Sequence, residues 1–495
     1  MGAADSNEPI PLLQLGLPSP PVDDDLAGSD HPASASPNRT GNAWTAVAHI
    51  ITGVIGSGVL SLAWSMAQLG WVWGPLLMLF FAAVTLASTF LLCSCYRSPD
   101  PDYGPVRNGS YLAAVKRNLA DNFGGERLIG TMEMEMMQEE CMDMRLAYTN
   151  ESLWDRNSLH YYYRYLHEVP AIRRSSCYRK DGKDDPCEFG STQYMLIFGV
   201  VQIFMSQIPD FHSMEWLSVV AAIMSLAYST IGLGLGAAKV VGNRVIKGSV
   251  GGVSASTTMQ KLWRVSQAVG DIAFAYPYSM IVLEIQDTLR SPPSERETMN
   301  KASLISTFIT TFFYLSCGGF GYAAFGDQTP GDLLTGFGNY GSHLVIDFAN
   351  ACVVVHLIGG YQVYSQPVFA MVDKWLAEQF PCISFVNRNY TLKFPLLPPL
   401  SLNLARLCFR SAYVASTTGV AMVFPYFNQV LGVLGTINFW PLSIYFPVEM
   451  WLRQKDLKPW TIKWVVLRSF SIVCFVINMF VFAGSIEGIV AARFS

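Results

Sequence analysis

The residues best suited to chemistry in this 495-residue chain sit in two short, otherwise apolar stretches. One reads His49-Ile-Ile-Thr52-Gly53-Val-Ile55-Gly56-Ser57-Gly58, with three glycines inside six residues. The other reads Gly270-Asp271-Ile-Ala273-Phe274-Ala275-Tyr276-Pro277, where a carboxylate and a proline fall within eight residues. Glycine lets a helix unwind, and proline removes a backbone donor. An unwound turn frees amides at the start of the next half-helix, whose positive dipole end suits a carboxylate. The carbonyls freed on the other side suit an ammonium or a cation, so such a site matches both ends of a zwitterion. Broken helices at corresponding places in two halves of a chain point to a transporter binding site. Glycine in a membrane helix also serves close packing; the pairing with a second broken span favours unwinding.

Asp271 lies at the second break and is the first choice for a proton-linked carboxylate, with capping of a half-helix as its alternative role. His49 and His356 titrate near neutral pH and are further candidates for proton coupling, although a buried, satisfied histidine is the plainer reading of each. Glu284, Asp347 and Glu487 fall near span ends, where a solvated role is expected. Cys177 and Cys187 flank a polar loop expected outside, where they are placed to pair. No metal-ligand cluster, Ser-His-Asp arrangement or phosphate-binding loop accompanies these residues. The chain does not read as an enzyme and calls for no metal or cofactor.

The elements that must position these groups are membrane spans. The chain is 51% hydrophobic and only 14% charged, against about 25% in soluble domains. Mean hydropathy is +0.29. From Thr40 to Tyr96 there are 57 consecutive residues without Asp, Glu, Lys or Arg, room for two spans of about 20 residues. A net charge of −4 gives no support for nucleic-acid binding. Ten cysteines, scattered, make no disulfide scaffold. Charge-free apolar runs predict spans near 44–69, 73–95, 191–208, 214–240, 262–285, 302–326, 343–370, 404–424, 427–450 and 464–486. Residues 1–39 read as a solvated, disordered tail without a signal-peptide core.

Basic loops at 287–301, 371–403 and 451–463 set those sides in the cytoplasm by the positive-inside rule. The connection at 239–264 dissents, with Lys239, Arg244, Lys247, Lys261 and Arg264 on the expected outer side. A cytoplasmic N-terminus then requires a further crossing between 96 and 190, and none is readable. Residues 119–172 hold ten acidic residues and four arginines, and their longest uncharged stretch is seven residues, Asn157 to Tyr163. At ~2.5–3.5 kcal/mol per charge at mid-bilayer, no window there inserts. Two inverted five-helix repeats call for four spans between the broken ones, and three are visible, so the same helix is missing by a second argument.

The run from Arg39-Thr-Gly-Asn-Ala-Trp through His49 and Gly58 to Trp64, followed by Ala67-Gln-Leu-Gly-Trp71, resembles the opening of the plant amino acid permeases. Gln207-Ile-Pro-Asp-Phe-His-Ser-Met-Glu-Trp-Leu-Ser218, Gly270 to Tyr276 and Val355-His-Leu-Ile-Gly-Gly-Tyr-Gln362 are similar too. The likeness covers residues 39–117 and 173–490. It implies an all-α polytopic fold of the LeuT-like, 5+5 inverted-repeat kind with an eleventh helix, so that 40–490 form the transporter domain. It also implies proton-driven uptake of neutral and, often, acidic amino acids at the plasma membrane, with a cytoplasmic N-terminus. Carried over, the substrate site comprises Thr52, Gly53, Ile55, Gly56, Ser57 and Gly58 with Ala273, Phe274, Ala275 and Tyr276. The implied partners are amino acids, protons and the lipid bilayer. The departure is the third span, replaced at 119–172 by a polar segment. That departure favours a rival reading, a non-transporting variant that senses substrate or interferes with intact partners. An auxin influx carrier of the same superfamily is the nearer alternative.

Overall fold

The computed structural model describes residues 39–56, 58–119, 192–208, 215–337, 343–392, 400–423, 433, 435, 436 and 439–494. The expected tail, nearly all of 119–172, Ser57, Cys177 and Cys187 lie outside the described residues. The first break separates α1 (Ala43–Val54) from α2 (Gly58–Ser94), which is followed by α3 (Tyr111–Leu119), α4 (Thr192–Met205) and α5 (Glu215–Asn243). The second break separates α6 (Thr258–Ala275) from a 3-10 turn at Ser279–Ile281 and α7 (Val282–Asp287). Then come α8 (Glu295–Phe325), α9 (His343–Gln379), α10 (Ser384–Asn387), α11 (Leu404–Val423), α12 (Phe446–Gln454) and α13 (Ile462–Phe494). Two short antiparallel hairpins, β1 (Arg97–Ser98) with β2 (Val106–Arg107) and β3 (Asn389–Leu392) with β4 (Leu400–Asn403), decorate the loops. This is an all-α polytopic membrane protein.

Its surface confirms the solvent. Phe80, Ile197, Phe204, Ile223, Phe308, Phe312 and Val476 are exposed. Water would penalise such a band, and lipid tails accept it. The core instead carries the polar groups, among them Thr52, Gln202, Ser225, His356, Gln362 and Arg410. Backbone bonds must close within each helix in hydrocarbon, so the helix ends are capped with care. Asn42 Oδ1 accepts from the amides of Trp44 (2.8 Å) and Thr45 (3.2 Å), while Thr45 Oγ1 accepts from the Asn42 amide (2.9 Å). This reciprocal box starts α1. Thr257 and Ser294 cap α6 and α8 one way only, their hydroxyls accepting from the amides of Gln260 and Glu297.

α2 contains the second half of the first predicted span and nearly all of the second, joined at Gly70, whose φ is +82°. A Cβ there would lie 2.2 Å from the Val250 carbonyl oxygen, so glycine is needed for both conformation and space. The chain that presses on this corner is the dissenting basic connection. Two of its lysines have partners within the fold that account for their place. Lys261 Nζ donates to the carbonyls of Gln68 (2.8 Å) and Val253 (2.6 Å), and Lys239 Nζ lies 3.8 Å from the centre of the Phe325 ring. At the other end, Glu295 is fully buried between Arg97 (2.7 Å) and Arg107 (3.1 Å). Arg296 pairs with Asp102 at 2.6 Å and holds that carboxyl below the usual carboxylate range. Arg39 reaches Asp287 at 2.9 Å, and the backbone of Gly41 bridges to Leu289. These contacts fasten the start of α8 to the β1–β2 hairpin and the start of α1 to the segment that follows α7.

Candidate functional site

The helix stops inside the glycine cluster, as its composition predicts. Ile55 leaves helical geometry with φ −77° and ψ 65°, and α2 resumes at Gly58. The carbonyls released there meet tyrosine hydroxyls from three other helices. Tyr364 of α9 donates to Gly53 O at 3.1 Å, Tyr228 of α5 to Ile55 O at 2.9 Å, and Tyr314 of α8 to Val54 O. Thr52 Oγ1 donates to Ser218 O at 2.7 Å and ties the last turn of α1 to α5.

The second break follows Ala275, where Pro277 supplies no amide. Ala275 O accepts from the same Tyr314 hydroxyl at 2.9 Å. The ring of Tyr276 meets that of Tyr314 edge-on, with centroids 5.0 Å apart. The two breaks therefore abut. A methyl on Gly58 would sit 3.8 Å from Ala275 Cβ, and one on Gly53 3.0 Å from Ile281 Cδ1. Thr52, Ile55, Ala273, Phe274, Ala275 and Tyr276 are all buried at this junction.

Asp271 lies one turn before the second break and is 3% exposed. Its Oδ2 accepts from Ser65 Oγ of α2 at 3.3 Å, and its Oδ1 has no hydrogen-bond partner. Among the described residues no ion pair involves it. His49 is buried in α1, one turn before Gly53. His356 Nδ1 lies 2.7 Å from Ser225 Oγ, and its ring packs edge-on to Tyr228 at 5.8 Å. That tyrosine is the one bonded to Ile55 O, so His356 touches the site through α5.

Two kinds of residue escaped the sequence reading. Glu284 was expected in a solvated position; instead its Oε2 is buried without a partner, and its Oε1 accepts from the Tyr111 amide at 3.3 Å. Its place on the same broken span as Asp271 was the available signal. The tyrosines were legible only as polar groups within apolar spans, since nothing local shows that three helices converge on one break.

The family model described as "Transmembrane amino acid transporter protein" matches residues 39–135 and 161–491. Among curated relatives, "Probable amino acid permease 7" of Arabidopsis thaliana is 52% identical over 460 residues, covering 92% of this chain and 94% of that protein. "Amino acid permease 3" of the same plant is 50% identical over 453 residues, covering 91% of each. Among solved structures, Mhp1, a nucleobase-cation-symport-1 family transporter in a closed conformation with bromovinylhydantoin bound, superposes with a TM-score of 0.50. It covers 92% of this chain and 93% of that one at 13% identity, which speaks for the fold alone.

Proposed function

The chain belongs to the transmembrane amino acid transporter family, among the plant amino acid permeases, and from that premise we propose that it is a proton-coupled symporter importing neutral and acidic amino acids across the plasma membrane. The observation that carries the proposal is the meeting of two unwound segments beside a buried carboxylate. The amide end of α2 faces the amino acid's carboxylate, and its ammonium shares the carbonyl oxygens of Ile55 and Ala275 with their tyrosine donors, each oxygen having a second lone pair to offer. Asp271 takes a proton from outside. As an anion, unpaired and out of water, it would be costly, so protonation is what allows the buried arrangement. The broken helices then rock, and proton and amino acid leave inside. Membrane voltage adds about 2.3 kcal/mol per charge per 100 mV to the inward step. The cytoplasmic N-terminus is what family membership implies, and the basic loops agree with it once a further crossing is supplied between residues 96 and 190.

A second reading is favoured by the interruption of the family match between residues 135 and 161, inside the polar segment that stands in for the third span. On that reading the chain reaches the membrane but senses or interferes rather than transports. Uptake of a labelled neutral amino acid into oocytes, with surface biotinylation, separates the two. Uptake displaced by unlabelled acidic amino acids and indifferent to indole acetic acid supports the permease. Surface protein without uptake supports the sensor, and displacement by indole acetic acid alone supports an auxin carrier.

A further inference from the structure

The hydroxyl of Tyr314 stands between the carbonyl that ends α1 and the carbonyl that ends α6, bonded to Val54 O and, at 2.9 Å, to Ala275 O. In transporters with broken helices, carbonyls of this kind are the ligands of a coupling cation. Here a side chain from α8 already joins them, and its residue is completely buried. The neighbouring carbonyls of Gly53 and Ile55 are met by Tyr364 and Tyr228 in the same manner. We propose that Tyr314 is a positioning residue that takes the place of an alkali-metal ion between the two breaks, so that this site keeps its shape without sodium. The assignment rests on reading the two breaks as the transport site.

The chemistry is specific about which half depends more on it. A hydroxyl has one hydrogen and so serves two carbonyls only in part. Val54 O has a second donor, the Gly56 amide at 2.7 Å, whereas Ala275 O, at the end of α6, has no donor but the tyrosine hydroxyl among the described residues. Loss of the hydroxyl should therefore loosen the second break more than the first. A cation, unlike a hydroxyl, offers several bonds at once. Opening the tyrosine's place should let a small cation enter between the two oxygens.

The test uses the purified full-length protein in detergent, with thermal unfolding followed in sodium, lithium or choline chloride at equal ionic strength, with and without amino acid. Wild type should unfold at one temperature in all three salts. Tyr314→Phe, which removes only the hydroxyl, should lower that temperature, and Tyr314→Ser, which opens the space, should regain part of the loss in sodium or lithium but not in choline. In uptake assays Tyr314→Phe should raise KM about tenfold, the equivalent of one lost buried hydrogen bond of ~1.4 kcal/mol, with a smaller change in kcat. Specific stabilisation of wild type by sodium would overturn the proposal, as would variants that show no cation response and an unchanged KM. If the cation responses appear but no amino acid stabilises any form, the tyrosine's role stands and the transport reading falls.

Discussion

The two breaks reach one geometry by different means. The first is opened by glycines and carries no ionisable group between Gly53 and Gly58; the second is opened by a proline and has Asp271 one turn away. The first has its freed carbonyls held by three tyrosines from α5, α8 and α9. The second shares one of those tyrosines and leaves a carboxylate oxygen without a partner. A flexible backbone thus has its shape set by neighbours, and a stiffer backbone is free to hold the carboxylate. Under the proposed function the first break would recognise the amino acid, and the second would recognise it and couple it to a proton.

The contrast breaks most sharply at Asp271. Asp271→Asn keeps the size and the bond from Ser65 but cannot exchange a proton. Accumulation of amino acid against its gradient should fall to background in vesicles, while exchange of internal for external amino acid persists at unchanged surface level. Loss of exchange as well would make Asp271 a structural cap. The glycines sharpen the comparison next. Gly53→Ala puts a methyl 3.0 Å from both Ile281 Cδ1 and the Tyr364 hydroxyl, and overpacking of this kind costs about 1–3 kcal/mol. Gly58→Ala meets Ala275 Cβ at an ordinary 3.8 Å and, as the first residue of α2, should change stability by less than about 1 kcal/mol in either direction. Thermal unfolding of the two variants ranks them.

A smaller effect is expected from Tyr228→Phe, which leaves Ile55 O without its tyrosine donor and should raise the KM for amino acid by a few fold, with about 1 kcal/mol lost. The smallest belongs to the ion pairs outside the site. Asp102 is held below its ordinary pKa by Arg296, so its contribution is present above about pH 4 and is lost as pH falls through the lowered value. Both partners are partly exposed, at 26% and 35%, so Asp102→Asn should cost no more than about 1 kcal/mol near neutral pH. The difference in unfolding temperature from wild type should vanish in acid.

Much of this was legible in the chain. Charge-free runs locate the spans because the bilayer penalises charge, and the glycines and Pro277 locate both breaks because they act on the backbone in place. The second half of the first predicted span and nearly all of the second proved to be one element, α2, turned at Gly70. No sequence rule separates such a corner from a loop when the residues on both sides are equally apolar. Lys261 dissented from the charge rule because it caps the carbonyl of Gln68, a long-range partner. The same limit hid Tyr314, whose two acceptors lie far from it in sequence, and Glu284, whose burial depends on α3 covering α7. The pairing of Cys177 with Cys187 and the role of Ser57 fall outside the described residues.

The most direct test of the central claim is the amino-acid-evoked inward current in oocytes expressing this chain, recorded across external pH for wild type and Asp271→Asn, with surface protein measured in the same cells. The account predicts a wild-type current that grows with external proton concentration and no current in the variant. A wild-type current indifferent to pH, or a variant current that still follows it, would contradict the assignment of coupling to the second break.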